Sequence, residues 1–257
     1  VSIPQRIIVE ILEMPKLRNP SMICGFPGSG YVGKLAIDHI IDELKAIPFA
    51  YMFSSSFPPQ VLIQSDGTAD QMKNTLYYSK GATSDLILLS GDAQPVTPES
   101  EYELAEEIVK ICDTLNVKTI YTLAAYITGA FSKNPKVYGT STVLQIVNEF
   151  QKYDVSTMNS GSITGMNGLI LGVGKRKGIT GICLLGETSG YVVDAKASKI
   201  VLETLVKMLD LKLDLTGITK KAQDTEHLVK TIEEQMGHRS GESLPMPQHD
   251  KKLGYIS

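Results

Sequence analysis

Short, almost unbroken apolar runs alternate along this chain with stretches of helical periodicity. "SMICGF" (21–26), "DLILL" (85–89), "TIYTLAAYI" (119–127) and "ITGICLL" (179–185) read as strands. Their apolar character is continuous rather than alternating, which suits a sheet covered on both faces. Between them, "YVGKLAIDHIIDELKA" (31–46) sets Val32, Leu35, Ala36, Ile40, Ile41 and Leu44 at helical spacing. In "VTPESEYELAEEIVKICDTLNV" (96–117), Thr97 can cap a helix and Pro98 takes its first position. Leu104, Ala105, Ile108, Val109, Cys112 and Leu115 then share one face. Asp194 is a candidate cap for "AKASKIVLETLVKMLDL" (195–211), where Ala197, Val201, Leu205 and Met208 line up. Strand–helix–strand alternation of this kind predicts an α/β fold in three layers, with a mostly parallel or mixed sheet.

Other segments add to this frame. "RIIVEILEMP" (6–15) reads as a strand closed by Pro15, and "FAYMFSSSFPPQVLIQ" (49–64) as two strands joined by a turn at Phe57 to Pro59, an antiparallel addition. "STVLQIVNEF" (141–150) reads as a short helix. "GMNGLILGVGKRKG" (165–178) is apolar yet rich in glycine and reads as a short, closely packed helix. With no linker before residue 212, residues 1–211 form one expected domain. Residues 212–236 are polar and carry a thin stripe of Thr225, Leu228, Ile232 and either Met236 or Gln235, suited to a C-terminal helix that contacts another helix. Residues 237–257 lack periodicity and read as a flexible tail. That tail finishes on Leu253, Tyr255 and Ile256, candidate residues for binding a partner.

Composition removes several functions. A net charge of −3 over 257 residues, with "KRK" (175–177) as the longest basic cluster, argues against a general nucleic-acid binder. Cys24, Cys112 and Cys183 stand far apart inside apolar runs, which suits neither a disulfide framework nor a zinc site. No run reaches the length of a membrane span and no secretory pattern opens the sequence, so the expectation is a cytoplasmic protein.

"GFPGSGYVGK" (25–34) invites a ligand. From Gly28 it fits G-x-x-x-x-G-K, but Leu35 occupies the position where a phosphate-binding loop places a hydroxyl on magnesium. Gly28, Gly30 and Gly33 also fit the dinucleotide fingerprint G-x-G-x-x-G, but the second strand ends in Ser54 to Ser56 where that motif expects an acid. A steric reading needs no ligand, because glycines allow positive φ and let a helix lie close on a strand. It is structurally the strongest of the three, and it leaves Gly28, Gly30, Gly33 and Lys34 as a candidate anion site at a helix N-terminus.

No nucleophile constellation stands out. Asp66, Asp70, Asp92 and Glu187 fall near expected strand ends, where α/β sites form. Glu187 in "GETSGY" is the best catalytic candidate, against the plainer role of a turn-stabilising acid. His39 falls in mid-helix and reads as a packing or surface residue. "TGAFSKNPKVYGT" (128–140) reads as an exposed loop whose Lys133 and Lys136 suit a partner or an anion.

Taken together, "GFPGSGYVGKLA", "SFPP", "LILLSGDAQP", "YTLAAYITG", "VYGT", "GSITGMNGLILG" and "GICLLGETSGY" resemble the PAC2 family, in the family's order and over roughly residues 15 to 211. The resemblance implies a phosphorylase/hydrolase-like α/β core, homo-oligomers, no enzymatic activity and no cofactor. It also implies an archaeal proteasome assembly chaperone homologue that binds α-subunits of the 20S proteasome. Archaeal members dock through a C-terminal hydrophobic–Tyr–any-residue tail. Here the chain closes on Gly254, Tyr255, Ile256 and Ser257, so Tyr255 is third from the end and a glycine precedes it. A small-molecule enzyme or sensor using the glycine-rich loop is the alternative.

Overall fold

The apolar runs become strands and the periodic stretches become helices in the computed structural model, which describes residues 7–238 and 255–256. The first half of the chain contains β1 (Ile7–Ile11), β2 (Ser21–Gly25), α1 (Val32–Leu44), β3 (Ile47–Ser54), β4 (Val61–Ile63), β5 (Ala69–Gln71), β6 (Asn74–Ser79), β7 (Leu86–Gly91) and α2 (Pro98–Thr114). The second half contains β8 (Thr119–Ile127), β9 (Val137–Ser141), α3 (Leu144–Glu149), β10 (Val155–Thr157), β11 (Ser162–Ile163), α4 (Gly165–Arg176), β12 (Thr180–Thr188), α5 (Ala195–Leu209) and α6 (Thr216–His238). Tyr255–Ile256 form a last short strand, β13.

Nine strands make one mixed sheet in the order β1-β3-β6-β7-β2-β8-β12-β9-β10. The four central strands, β7, β2, β8 and β12, run parallel. They are the four apolar runs, and burial on both faces explains their continuous hydrophobicity. Antiparallel pairings carry the sheet outward through β6, β3 and β1 on one side and from β12 to β9 on the other.

Side-chain alternation sorts the core into two layers. On β2, Met22 and Cys24 face α2 and α4, joining Leu104, Ile108, Met166 and Ile170. Ile23 faces the opposite way, toward α1 and α5, with Leu88, Leu123, Ile37 and Val201. Each of the larger side chains contributes about 1.5–3 kcal/mol by leaving water. Thr97 caps α2 by accepting the Ser100 N–H, with Pro98 at the first position. Asp194 Oδ1 caps α5 by accepting the Ala197 N–H at 2.9 Å. Both caps match the sequence reading.

Several strands are less legible in the sequence. β6, "NTLYYS", lies between β3 and β7 although it lacks a long apolar run, because the sheet supplies its partners. β9 and β10 are short, and among the described residues β10 pairs only with β9. The turn after β3 does lead into β4, but β4 pairs with β5 in a separate hairpin. α6 begins at Thr216, inside the extension expected from residue 212. There Asp214 Oδ1 accepts both the N–H and the hydroxyl of Thr216, at 2.8 and 2.6 Å, and turns the chain into the helix. Ile218 and Ala222 of α6 are buried, and Thr225 nearly so. The side chains of Leu228, Ile232, Gln235 and Met236 lie outside the described residues.

Candidate functional site

The C-terminal ends of the parallel strands converge on one edge of the sheet, the usual place for a site in this architecture. β2 ends there at Gly25 and leads through the glycine-rich turn into α1. A Cβ on Gly25 would meet the Gly33 carbonyl oxygen and Ile37, and one on Gly33 would strike the Leu123 carbonyl of β8. These two glycines set the distance between α1 and the sheet, as the steric reading expects.

Gly30 serves a different purpose. Its φ of 63° lies in the left-handed region, and Tyr31 follows at 53°. The turn thereby aims the Gly30 carbonyl at the backbone N–H of Asp194, 2.8 Å away. A Cβ at Gly30 would meet Thr188 Oγ1 at 3.1 Å and Asp194 Cβ at 3.3 Å. The start of α5 thus lies against this part of the turn. Ser198 Oγ reinforces the contact by donating to the Val32 carbonyl at 2.8 Å. Gly28 is extended, and its carbonyl accepts the Tyr31 N–H. Lys34 points toward β7. Its ammonium donates to Asp38 at 2.9 Å and to Ser90 Oγ at 2.7 Å, and Ser90 in turn donates to Asp38 at 2.6 Å. The lysine of the motif is therefore engaged in holding α1 against β7.

An open cavity of about 440 Å³ lies beside this turn, at the ends of β8 and β12. The loop after β8 contributes Phe131, Ser132, Lys133 and Pro135. β12 and the following turn contribute Glu187, Thr188 and Ser189, and α5 contributes Asp194 and Lys196. α6 closes one side with Thr225, Glu226, Val229 and Lys230. Glu187 Oε2 accepts the Lys136 N–H at 2.9 Å, and its own N–H donates to the Lys136 carbonyl. It therefore fixes the loop, as its plainer reading expects, while still lining the cavity. Asp194 Oδ2 accepts the Thr188 hydroxyl at 2.7 Å. Lys196 meets Glu226 at 2.6 Å and the Lys133 carbonyl at 2.7 Å. The bond from Lys196, together with its charge, holds the Glu226 carboxyl below its ordinary range.

The remaining sequence candidates are dispersed. Asp92 accepts the Lys73 N–H, Asp70 pairs with Lys73, and Asp66 stabilises its own turn through Thr68. His39 Nε2 is 2.7 Å from the Asp214 carbonyl and packs in the interior. Tyr255 and Ile256 pair in parallel with Ser162 and Ile163. Leu253 lies outside the described residues. Of the cavity residues, the sequence singled out Lys133, as a loop lysine suited to a partner or an anion, and Glu187, as an acid near a strand end, whereas Lys136 does not line the cavity. Lys196, Glu226 and Lys230 were not singled out, because Lys196 reads as a first-turn residue of α5 and only the return of α6 across α5 brings Glu226 and Lys230 there. Among the described residues, no group of three His, Cys, Asp or Glu side chains is placed to hold a metal ion, and no helix is long and apolar enough to cross a membrane.

A mixed sheet covered on both faces, a glycine turn that seats α1 on its centre and a helical extension across α5 define the architectural class. The chain belongs to the PAC2 family, whose model matches residues 22–233. Among solved structures it is similar to Pyrococcus furiosus PbaB, described as an archaeal proteasome activator. That likeness has 35% identity and a TM-score of 0.82, and covers 88% of this chain and 98% of PbaB. It is also similar to Pyrococcus furiosus PbaA, described as an archaeal homolog of proteasome-assembly chaperone, at 30% identity and a TM-score of 0.74, covering 90% and 94% of the two chains. An uncharacterised protein of Methanocaldococcus jannaschii is 33% identical over 248 residues, 96% of either chain.

Proposed function

We propose that this chain is a non-enzymatic, homo-oligomeric protein of the proteasome-assembly-chaperone type that acts in the cytoplasm and binds α-subunits of the 20S proteasome through its C-terminal region. The observation that carries the reading is the likeness to PbaA, described as a homolog of proteasome-assembly chaperone and covered to 94% at 30% identity, with the likeness to the proteasome activator PbaB, at 35% identity, supporting a proteasome partner. In this reading residues 1–211 are the platform, 212–236 the helical extension and 237–257 the docking tail, with Leu253, Tyr255 and Ile256 as contact residues. Residues 239–254 connect α6 to β13. Sixteen residues reach at most about 55 Å when extended, enough for a tail to leave its own subunit. The pairing of β13 with β11 involves two residues on each strand, a contact small enough to exchange for a pocket on a partner. Several tails on one oligomer would raise avidity through effective concentration.

A pull-down with 20S α-subunits tests the reading. The full chain is compared with a chain ending at His238 and with Tyr255→Ala, while light scattering gives the oligomeric state. Retention of the full chain and loss of the shortened one supports tail docking. Equal retention of all three removes the tail from the mechanism, and no retention of any of them overturns the partner assignment.

A further inference from the structure

The cavity beside the glycine turn has an unequal supply of hydrogen-bonding groups. Its three carboxylates already accept protein hydrogen bonds: Glu187 from the Lys136 N–H, Asp194 from Thr188 and Ala197, and Glu226 from Lys196. Of its three ammonium groups only Lys196 hydrogen-bonds among the described residues, to Glu226 and the Lys133 carbonyl, while Lys230 attracts Glu226 at longer range. Lys133 and Lys230 form no salt bridge among the described residues. Two hydroxyl donors also remain. Ser189 is 2% exposed, and its Oγ accepts the Tyr191 N–H while its own proton has no acceptor among the described residues. Ser132 also lines the cavity. The three carboxylates and three ammonium groups of the lining balance in formal charge, so the selection rests on the unspent hydrogen-bond donors, which favour an anionic acceptor. Phe131, Pro135 and Val229 supply apolar wall beside it, and about 440 Å³ falls within the range of pockets that enclose small organic molecules.

We propose that this cavity binds a small organic anion, with a carboxylate or phosphate head held by Lys133, Lys230 and Ser189 and an apolar body against Phe131 and Val229. The position differs from the glycine motif, where Lys34 is already engaged by Asp38 and Ser90. Because α6 forms one wall, the bound anion bridges α6 to the ends of β8 and β12. The site is independent of the ring-docking reading, and either can fail without the other.

Calorimetric titration of the full chain with phenyl phosphate, phenylacetate and neutral 2-phenylethanol tests the proposal, with hydrogen exchange to locate the site. At least one of the two anions binds, and the stronger of them identifies the head group. The neutral alcohol binds at least about tenfold more weakly, since a charge-assisted hydrogen bond is worth about that factor. Lys133→Ala/Lys230→Ala alters two exposed side chains and lowers anion affinity by about tenfold or more with an unchanged unfolding temperature. Glu187→Gln retains an acceptor for the Lys136 N–H and removes a negative charge from the wall, so anion affinity rises a few-fold. Exchange slows in residues 222–230 when the anion is bound. Absence of anion binding at millimolar concentration, equal binding of the alcohol, or unchanged affinity in the double-lysine variant overturns the proposal.

Discussion

Replacing Gly33 with alanine tests whether the glycine run is a packing device. The new Cβ would strike the Leu123 carbonyl oxygen and lie 2.8 Å from its carbon. The best carbon–carbon separation is about 3.5–4.0 Å, so α1 must retreat from β8 by at least about 0.7 Å. Both obstructing atoms are backbone, and no rotamer change relieves them. The retreat loosens Val32, Ile37 and Ile40, each at most 1% exposed. A gap of that size forfeits about a quarter to a half of a contact's attraction. Each of these side chains is worth about 1.5–3 kcal/mol when buried, so the gross loss at the middle of both ranges is about 2–3 kcal/mol. Alanine's better helix propensity returns about 1 kcal/mol, leaving a net loss of about 1–2 kcal/mol. Gly172, in the exposed part of α4, has nothing within 4 Å of its would-be Cβ. Gly172→Ala should therefore gain about 0.5–1 kcal/mol. Urea denaturation of the parent and both variants should separate the two alanines by about 1.5–3 kcal/mol, or about 3–12 °C in unfolding temperature. If Gly33→Ala proves as stable as Gly172→Ala, the steric account of the motif is wrong.

Three further outcomes follow from the same structure. Asp194→Ala removes both the α5 cap and the acceptor of the Thr188 hydroxyl. It should cost about 1–3 kcal/mol in urea denaturation, more than the about 1 kcal/mol expected for the simpler cap lost in Thr97→Ala. Cys24, Cys112 and Cys183 are fully buried, and burial pushes the first two thiols well up and the third to about 12. A disulfide reagent at mild alkaline pH should leave the native protein unlabelled and modify all three thiols in denaturant, and rapid native labelling would contradict this burial. Glu226 is held below the ordinary value of 4.5 by Lys196, so its stabilising contribution is present above that pH and disappears as pH falls through the lowered value. The unfolding-temperature advantage of the parent over Glu226→Gln should therefore shrink between pH 6 and pH 3, and a constant difference would exclude the ion pair as its cause.

The central half of the sheet was legible because its strands are buried on both faces, and such burial demands uninterrupted apolar residues. Both helix caps were legible because Thr97 and Asp194 act on backbone groups three residues away. β6 and β10 were not, because their pairing depends on neighbours far along the chain rather than on their own pattern. The candidate site divides in the same way. Glu187 and Lys133 could be singled out as polar residues near a strand end, whereas Lys196, Glu226 and Lys230 read as ordinary solvent-facing helix residues.

By itself, the sequence determined the layered α/β plan, the placement of glycines where α1 meets the sheet, and the set of segments that marks the family. These depend on local periodicity, on caps acting over one turn, and on the absence of a Cβ. Only the tertiary structure decided that Lys34 engages Asp38 and Ser90, that the Gly30 carbonyl meets Asp194, and that α6 folds back to wall a cavity whose remaining donors include two lysines. The physical reason is distance in the chain. Ser90 lies 56 residues from Lys34, and a hydrogen bond across that separation exists only after the sheet has brought its ends together.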